Sequence, residues 1–381
     1  MIRVALVIIA IVLGTAACTS ASTGTASLDA VPVPAISHWQ IEPGQFISLR
    51  YGQKGAQFVA LSDMSTGALV RDLLPATAAN GMQVTGLALD HAGDLWITYS
   101  KGPSIGGPAI SSGPAIPEPD TCANQVDVVQ AGTGRVTVAL RTSDNVLIWA
   151  AQPSPDGREL AYRESACTAY QDTYLRIDNL FSKQQWSIGQ GLPDCHLLAG
   201  VAWSTNGRTL LADYGPASQP YSYGSGSDTC AQWWAGRLVR VNAGTAQRGL
   251  AGTTTLAAPG CQIDAVAGTA GGGALAVEGC GGAPDFTGGQ VSLLVIGADG
   301  RLDRRLTLGA CVDGAGIAVN QAGTAALVSA YFTCAPSGQA TKAWEYHAGT
   351  LRLVLSEPGN GGSPIMAAWR SLTGAGWSWI V

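Results

Sequence analysis

The stretch AQPSPDGRELAY, residues 151–162, sets a tight polar turn between two apolar runs. Pro155 presets φ, Asp156 caps the turn, and Gly157 supplies a left-handed position that other L-residues avoid. The flanking apolar residues then read as the two arms of a β-hairpin. Five further stretches share the design: GLALDHAGDLWITY (86–99), GVAWSTNGRTLLADY (200–214), AVAGTAGGGALAV (265–277), GIAVNQAGTAALV (316–328) and AAWRSLTGAGWSW (367–379).

A second, more amphipathic hairpin alternates with the first. Its six copies turn near Gly67, Gly134, Ser182, Gly244, Gly300 and Gly349. In YLRIDNLFSKQQWSI (174–188), Leu175 and Ile177 alternate with Arg176 and Asp178, as a strand with one wet face should. From each amphipathic turn to the next apolar turn the chain runs a near-constant 23 to 28 residues, whereas the return step varies from 25 to 41. One connection is fixed and the other takes the insertions. A unit of about 50 residues and four strands is the signature of a propeller blade. The apolar hairpin supplies inner strands A and B, buried between neighbouring blades, and the amphipathic hairpin supplies outer strands C and D, which meet water.

The expected fold is therefore an all-β, six-bladed β-propeller. The outer hairpin at 57–74 and the inner hairpin at 365–381 share the closing blade, which leaves no free sheet edge at the seam. The run FISLRY (46–51) has no place in this count, and a seven-bladed ring is the alternative. Composition agrees: 50 glycines and only 12% charged residues in 381 suit short strands and turns rather than long helices with solvated faces. There is no basic patch, so nucleic acid is excluded as a partner.

SPDGRELAY (154–162) resembles the repeat of TolB-type propellers, which are related to WD-repeat-like propellers. LDHAGDLWITY (89–99) is similar to blades of streptogramin-lyase-like and sensor-kinase propellers. The resemblance spans 57–381 as architecture and implies a fold, not an activity. The catalytic His and Glu that a streptogramin lyase places at its channel mouth have no match here.

The first 18 residues, MIRVALVIIAIVLGTAAC, join a short basic start at Arg3 to an apolar run too short to span a bilayer, followed by small residues and Cys18. This resembles a bacterial lipoprotein signal, with Thr15 where an aliphatic residue is usual. It implies cleavage before Cys18 and acylation (palmitate-type) of that cysteine; the alternative is an ordinary secretory signal cut nearby. Residues 1–17 are thus the expected signal peptide, 18–36 a flexible tether, and 37–381 the propeller. The expected location is the bacterial cell membrane, lipid-anchored on its extracytoplasmic side.

Eight cysteines remain, an even number in an exported chain, and no C-x-x-C is among them. Cys195, Cys261 and Cys311 each sit just before a strand A, and Cys230, Cys280 and Cys334 after strand B of the same blade. The expected disulfides are 195–230, 261–280 and 311–334, with 122–167 (Cys122 and Cys167) joining adjacent blades. All would clip the face that carries the B–C and D–A loops. The long insertions at 101–122 and 214–235 belong to the same face. The second contains Tyr221, Tyr223, Trp233 and Trp234, side chains of the kind that anchor recognition surfaces. Glu164, Asp213 and Glu278 at the ends of strands B, with Asp264 and Asp313 at the starts of strands A, could hold a cation or a basic ligand at the channel mouth.

No G-x-S-x-G elbow or phosphate-binding P-loop is present, and the four histidines (His38, His91, His196 and His347) lack metal-ligand spacing. The reading that follows is a cofactor-free, non-catalytic propeller that binds an envelope protein, peptide or glycan through the disulfide-clipped face. The alternative is a lyase or lactonase with a carboxylate or divalent-cation centre at the channel mouth.

Overall fold

The computed structural model describes residues 36, 40–42, 44–51, 57–77, 81–101, 122–144, 146–166, 173–188, 196–197, 201–213, 215–216, 237–243, 249–255, 261–280, 290–320, 323–332, 340–358, 367–369 and 378–380. The expected signal peptide, the acylated Cys18 and the tether lie outside them, apart from Ile36. Nearly all of the described chain is strand, with one short 3-10 turn at Ala270–Gly272, and no described helix is long and apolar enough to cross a membrane.

The strands form six antiparallel sheets, each one blade. From the channel outward, blade 1 is Gln83–Leu89, Leu95–Lys101, Cys122–Val129 and Val136–Asp144. Blade 2 is Val146–Pro153, Glu159–Ala166, Thr173–Asn179 and Gln185–Ile188. Blade 3 is Val201–Trp203, Thr209–Asp213, Arg237–Asn242 and Gly249–Thr255. A two-residue ribbon, His196–Leu197 against Gly215–Pro216, lies just outside the A–B pair of blade 3. Blade 4 is Cys261–Gly268, Ala274–Cys280, Gln290–Ile296 and Leu302–Ala310. Blade 5 is Val312–Asn320, Ala325–Phe332, Ala340–His347 and Thr350–Pro358.

Blade 6 closes the ring, and here the structure refines the sequence reading. Its inner strand is Ala367–Trp369, followed outward by Gln45–Tyr51, Gln57–Asp63 and Leu69–Pro75. The run FISLRY is thus strand B of the sixth blade, and no seventh is needed. The remaining part of the expected terminal hairpin, Ser378–Ile380, instead adds a fifth strand to the channel edge of blade 5, pairing with Ala318–Asn320. Gln45–Tyr51 fills position B with the longer described ladder. Gln45–Tyr51 pairs along all seven of its residues with Gln57–Asp63, whereas Ser378–Ile380 offers three.

In blades 2, 3 and 5 the A–B turn is closed by a side chain that replaces missing backbone bonds. Ser154 Oγ accepts from the backbone N–H of Arg158 and Glu159, at 3.1 and 2.9 Å, and donates to Asp156 Oδ1 at 2.7 Å. Ser204 and Asn206 repeat the device in blade 3, and Asn320 Oδ1 serves the N–H groups of Thr324 and Ala325 in blade 5. Gly157 stands at φ 67°, where a Cβ would strain the chain. The C–D turn of blade 2 lacks a glycine and places Lys183 at φ 58° instead.

Burial follows strand position. Leu95–Lys101, Ala274–Cys280 and Ala325–Phe332, all strands B, are buried almost throughout. Strand C is drier than its amphipathic hairpin suggests: Cys122–Val129 and Gln290–Ile296 are largely buried. Water reaches strand D, as in Leu69–Pro75 and Leu302–Ala310. The largest apolar cluster joins blade 6 to blades 1 and 5 through Phe46, Ile47, Met64, Leu87, Leu89, Leu95, Ile97 and Leu355. Each such side chain contributes roughly 1.5–3 kcal/mol by leaving water, so the closing blade is held by its seams as well as by its ladder.

Polar contacts fix the registry between blades. Trp203 Nε1 donates to the carbonyl of Gln152 at 2.9 Å, joining blades 3 and 2. Asn124 of blade 1 acts as a substitute strand for blade 2. Its Nδ2 donates to the carbonyl of Val146 at 2.8 Å, while its Oδ1 accepts from the N–H of Ile148 at 2.9 Å.

Candidate functional site

The face that carries the B–C and D–A connections can be built from its strand ends. Cys261 opens strand A of blade 4, Cys280 closes strand B, and the two lie directly opposite each other. They form a disulfide, as expected, with Cα atoms 4.1 Å apart. Cys122 and Cys311 are also disulfide-bonded. Cys167, Cys195, Cys230 and Cys334 lie outside the described residues, and so do Tyr221, Tyr223, Trp233 and Trp234. The two long connections nonetheless leave from this face. Residues 102–121 run from the end of strand B to the start of strand C in blade 1, and the connection between Asp213 and Arg237 does the same in blade 3.

The carboxylates expected at the channel mouth sit at this end of their strands and are spread over blades 2 to 5, with Asp264 and Glu278 together in blade 4. Glu164 lies on strand B of blade 2, on the same strand side as Tyr162, which packs against Trp96 and Val126 of blade 1. It is buried and paired with Arg176, at 2.7 Å from Nε and 3.2 Å from Nη2. Glu278, 1% exposed, lies on strand B of blade 4 and pairs with Arg305 of strand D at 3.2 Å. Burial pushes its carboxyl above the usual carboxylate range, and Arg305 pulls it partly back. Asp264 is the extra residue of a β-bulge in strand A of blade 4 and is half-buried. Asp213 ends strand B of blade 3, and Asp313 is the second residue of strand A of blade 5; the side chains of both are outside the described residues. Glu164 and Glu278 therefore neutralise arginines inside separate blades and do not converge.

Among the described residues, one group of His, Cys, Asp and Glu has donor atoms close enough for a metal: Cys261, Glu278 and Cys280, all within 4.8 Å of one another. With both sulfurs bonded to each other, the group offers no thiolate in this state.

Other buried acids escaped the sequence reading. Asp127, on strand C of blade 1, is fully buried, and Gln125 Nε2 donates to both of its oxygens at 2.9 Å. Burial raises its pKa to about 6, against the pull of Gln125 and Arg141. Asp178 on strand C of blade 2 accepts from the Tyr162 hydroxyl at 2.9 Å through Oδ2, while its buried Oδ1 has no hydrogen-bond partner. Burial raises its pKa as well. The available signal was a single acid inside the apolar run VDVV (126–129).

Asp127 makes a testable prediction. Its folded-state pKa is raised, so the protonated form is favoured in the fold, and the penalty for ionising it grows as pH rises from about 4 to about 6. Asp127→Asn removes that penalty. The variant should match the parent near pH 4 and be more stable by about 3 kcal/mol near pH 8. Urea unfolding at both pH values checks this; an equal difference at both would refute the assignment.

On the opposite face, a shallow groove of about 230 Å³ lies between the A–B turns of blades 2 and 3, lined by Ser154, Asp156, Arg158, Asn179 and Asn206. These side chains largely close their own turns, so the groove follows from the repeat.

No protein-family model matches the chain, and no curated protein matches its sequence. Among solved structures, it is similar to the hydrazine synthase of Kuenenia stuttgartiensis, with a TM-score of 0.43, 13% identity and 71% of this chain covered. The match spans 65% of that protein's length, just under two thirds. An oligogalacturonate lyase in complex with manganese gives 0.40 at 12% identity, covering 87% of this chain and 80% of that one. The β-propeller domain of the trilobed protease of Pyrococcus furiosus gives 0.38 at 8% identity, covering 72% of each. At these values the likenesses assign no residue a role. The architecture stands on the strand pairing itself: this chain is a six-bladed β-propeller.

Proposed function

We propose that the chain is a non-catalytic, lipid-anchored propeller on the extracytoplasmic side of a bacterial membrane. It binds an envelope protein, peptide or glycan through the face bearing the B–C and D–A connections. One observation carries this reading: the Cys261–Cys280 disulfide clips the same face from which both long insertions leave the blades. A rigid ring that holds long connections rich in Tyr, Trp, Gly and Ser is a recognition scaffold, because order resides in the blades and variety in the loops. The 122–167, 195–230 and 311–334 pairs would extend the clipping around the ring. The enzymatic alternative needs free carboxylates converging on the channel, whereas Glu164 and Glu278 each face an arginine in their own blade.

Replacing Tyr221, Tyr223, Trp233 and Trp234 together by alanine should abolish photo-crosslinking of a partner in intact cells and leave the melting temperature unchanged. Unchanged crosslinking would reject this face as the binding surface. Cys18→Ser should move the protein from the membrane to the soluble fraction and remove incorporation of a tagged fatty acid. Persistence of both would reject the anchor.

A further inference from the structure

Cys261, Cys280 and Glu278 hold a chemistry that their disulfide conceals. The two cysteines face each other across strands A and B of blade 4, and Glu278 precedes Cys280 by two residues, on the same strand side. Cys261 and Glu278 are buried and Cys280 is half-buried. A carboxylate placed this deep beside two sulfurs, with donor atoms all within 4.8 Å, has the donors of a metal centre once the sulfurs part.

We propose that opening the Cys261–Cys280 disulfide creates a zinc site made of two thiolates and the Glu278 carboxylate, with water in the fourth position. The donor set selects the ion. Thiolates disfavour magnesium and calcium, which take oxygen ligands, while two sulfurs and one oxygen in a four-coordinate array suit zinc. Glu278 is released for this task by Arg305, whose side chain is 42% exposed and can turn to solvent. Strands A and B are also held by their own ladder, from Ala265–Val277 to Gly268–Ala274.

The chemistry balances with a thiol reductant. Two glutathione thiols transfer two electrons and two protons to the disulfide, giving two cysteine thiols and one oxidised glutathione. Zinc then displaces both thiol protons to solvent as two metal–sulfur bonds form.

The test uses the full chain in a glutathione redox buffer with and without zinc chloride, followed by alkylation and mass spectrometry of the peptides bearing Cys261 and Cys280. Free zinc at ten times its dissociation constant should raise the dithiol-to-disulfide ratio of this pair about tenfold. In Glu278→Gln, which keeps both sulfurs, the rise should fall to about twofold or less. No rise in the parent chain, or an equal rise in the variant, overturns the proposal. Cobalt added to the reduced parent chain gives an independent reading that needs no variant. A sulfur-to-cobalt charge-transfer band supports the site, and its absence overturns it.

Discussion

Gly323→Ala lowers the stability of the ring by about 3 kcal/mol or more, the largest loss expected from a single methyl group at the described glycines. Two effects add. Gly323 stands at φ 67°, which costs an alanine about 1–2 kcal/mol. Its Cβ would also collide with the backbone of Thr269 and Ala270, in the A–B turn of blade 4. That turn is tied to this one by the Ala270 N–H, which donates to the Gly323 carbonyl at 3.0 Å. The methyl group therefore forces apart two turns whose backbones are hydrogen-bonded to each other. Gly132→Ala separates the two effects, since Gly132 has a similar φ of 77° but open space around it. It should lose only the conformational part, about 1 kcal/mol. Urea unfolding of both variants decides: equal losses would mean that turn-on-turn contact adds nothing between blades 4 and 5.

Replacing Cys261 and Cys280 together by serine should cost about 3 kcal/mol, the loop-closure entropy returned to the unfolded chain by a 19-residue separation. The loss should be nearly insensitive to ionic strength. In the parent, a reductant that opens this disulfide should shift the unfolding midpoint toward that of the double variant. A double variant within about 1 kcal/mol of the parent would show that the disulfide constrains little beyond what the strand ladder already fixes.

The hairpins were legible because each is local. A turn glycine flanked by apolar arms states its own structure within a dozen residues, as Gly157, Gly207 and Gly323 do. What escaped depends on distant partners. Gln45–Tyr51 has strand character, but its inner neighbour Ala367–Trp369 lies more than 300 residues away, and no pattern near FISLRY announces that. The dryness of strand C was also hidden. The blade next to it covers its second face, and polar residues such as Gln125 and Asp127 satisfy each other there and not in water. Glu164 and Glu278 stand near strand ends, but each is paired with an arginine, Arg176 and Arg305, 12 and 27 residues further along the chain. Sequence shows that an acid stands near a strand end; only the fold shows which arginine it faces.

The composite sixth blade has a consequence for assembly. While the chain is being made, Gln45–Tyr51 waits with one row of amides and carbonyls exposed until the segment at 367–369 emerges. During that interval, a second molecule can donate the missing ribbon as readily as the first, and two chains that trade it produce an interlocked dimer with every pairing intact. Monomer yield on refolding from denaturant is therefore set by how dilute the protein is, since dilution favours the strand that arrives on the same polypeptide.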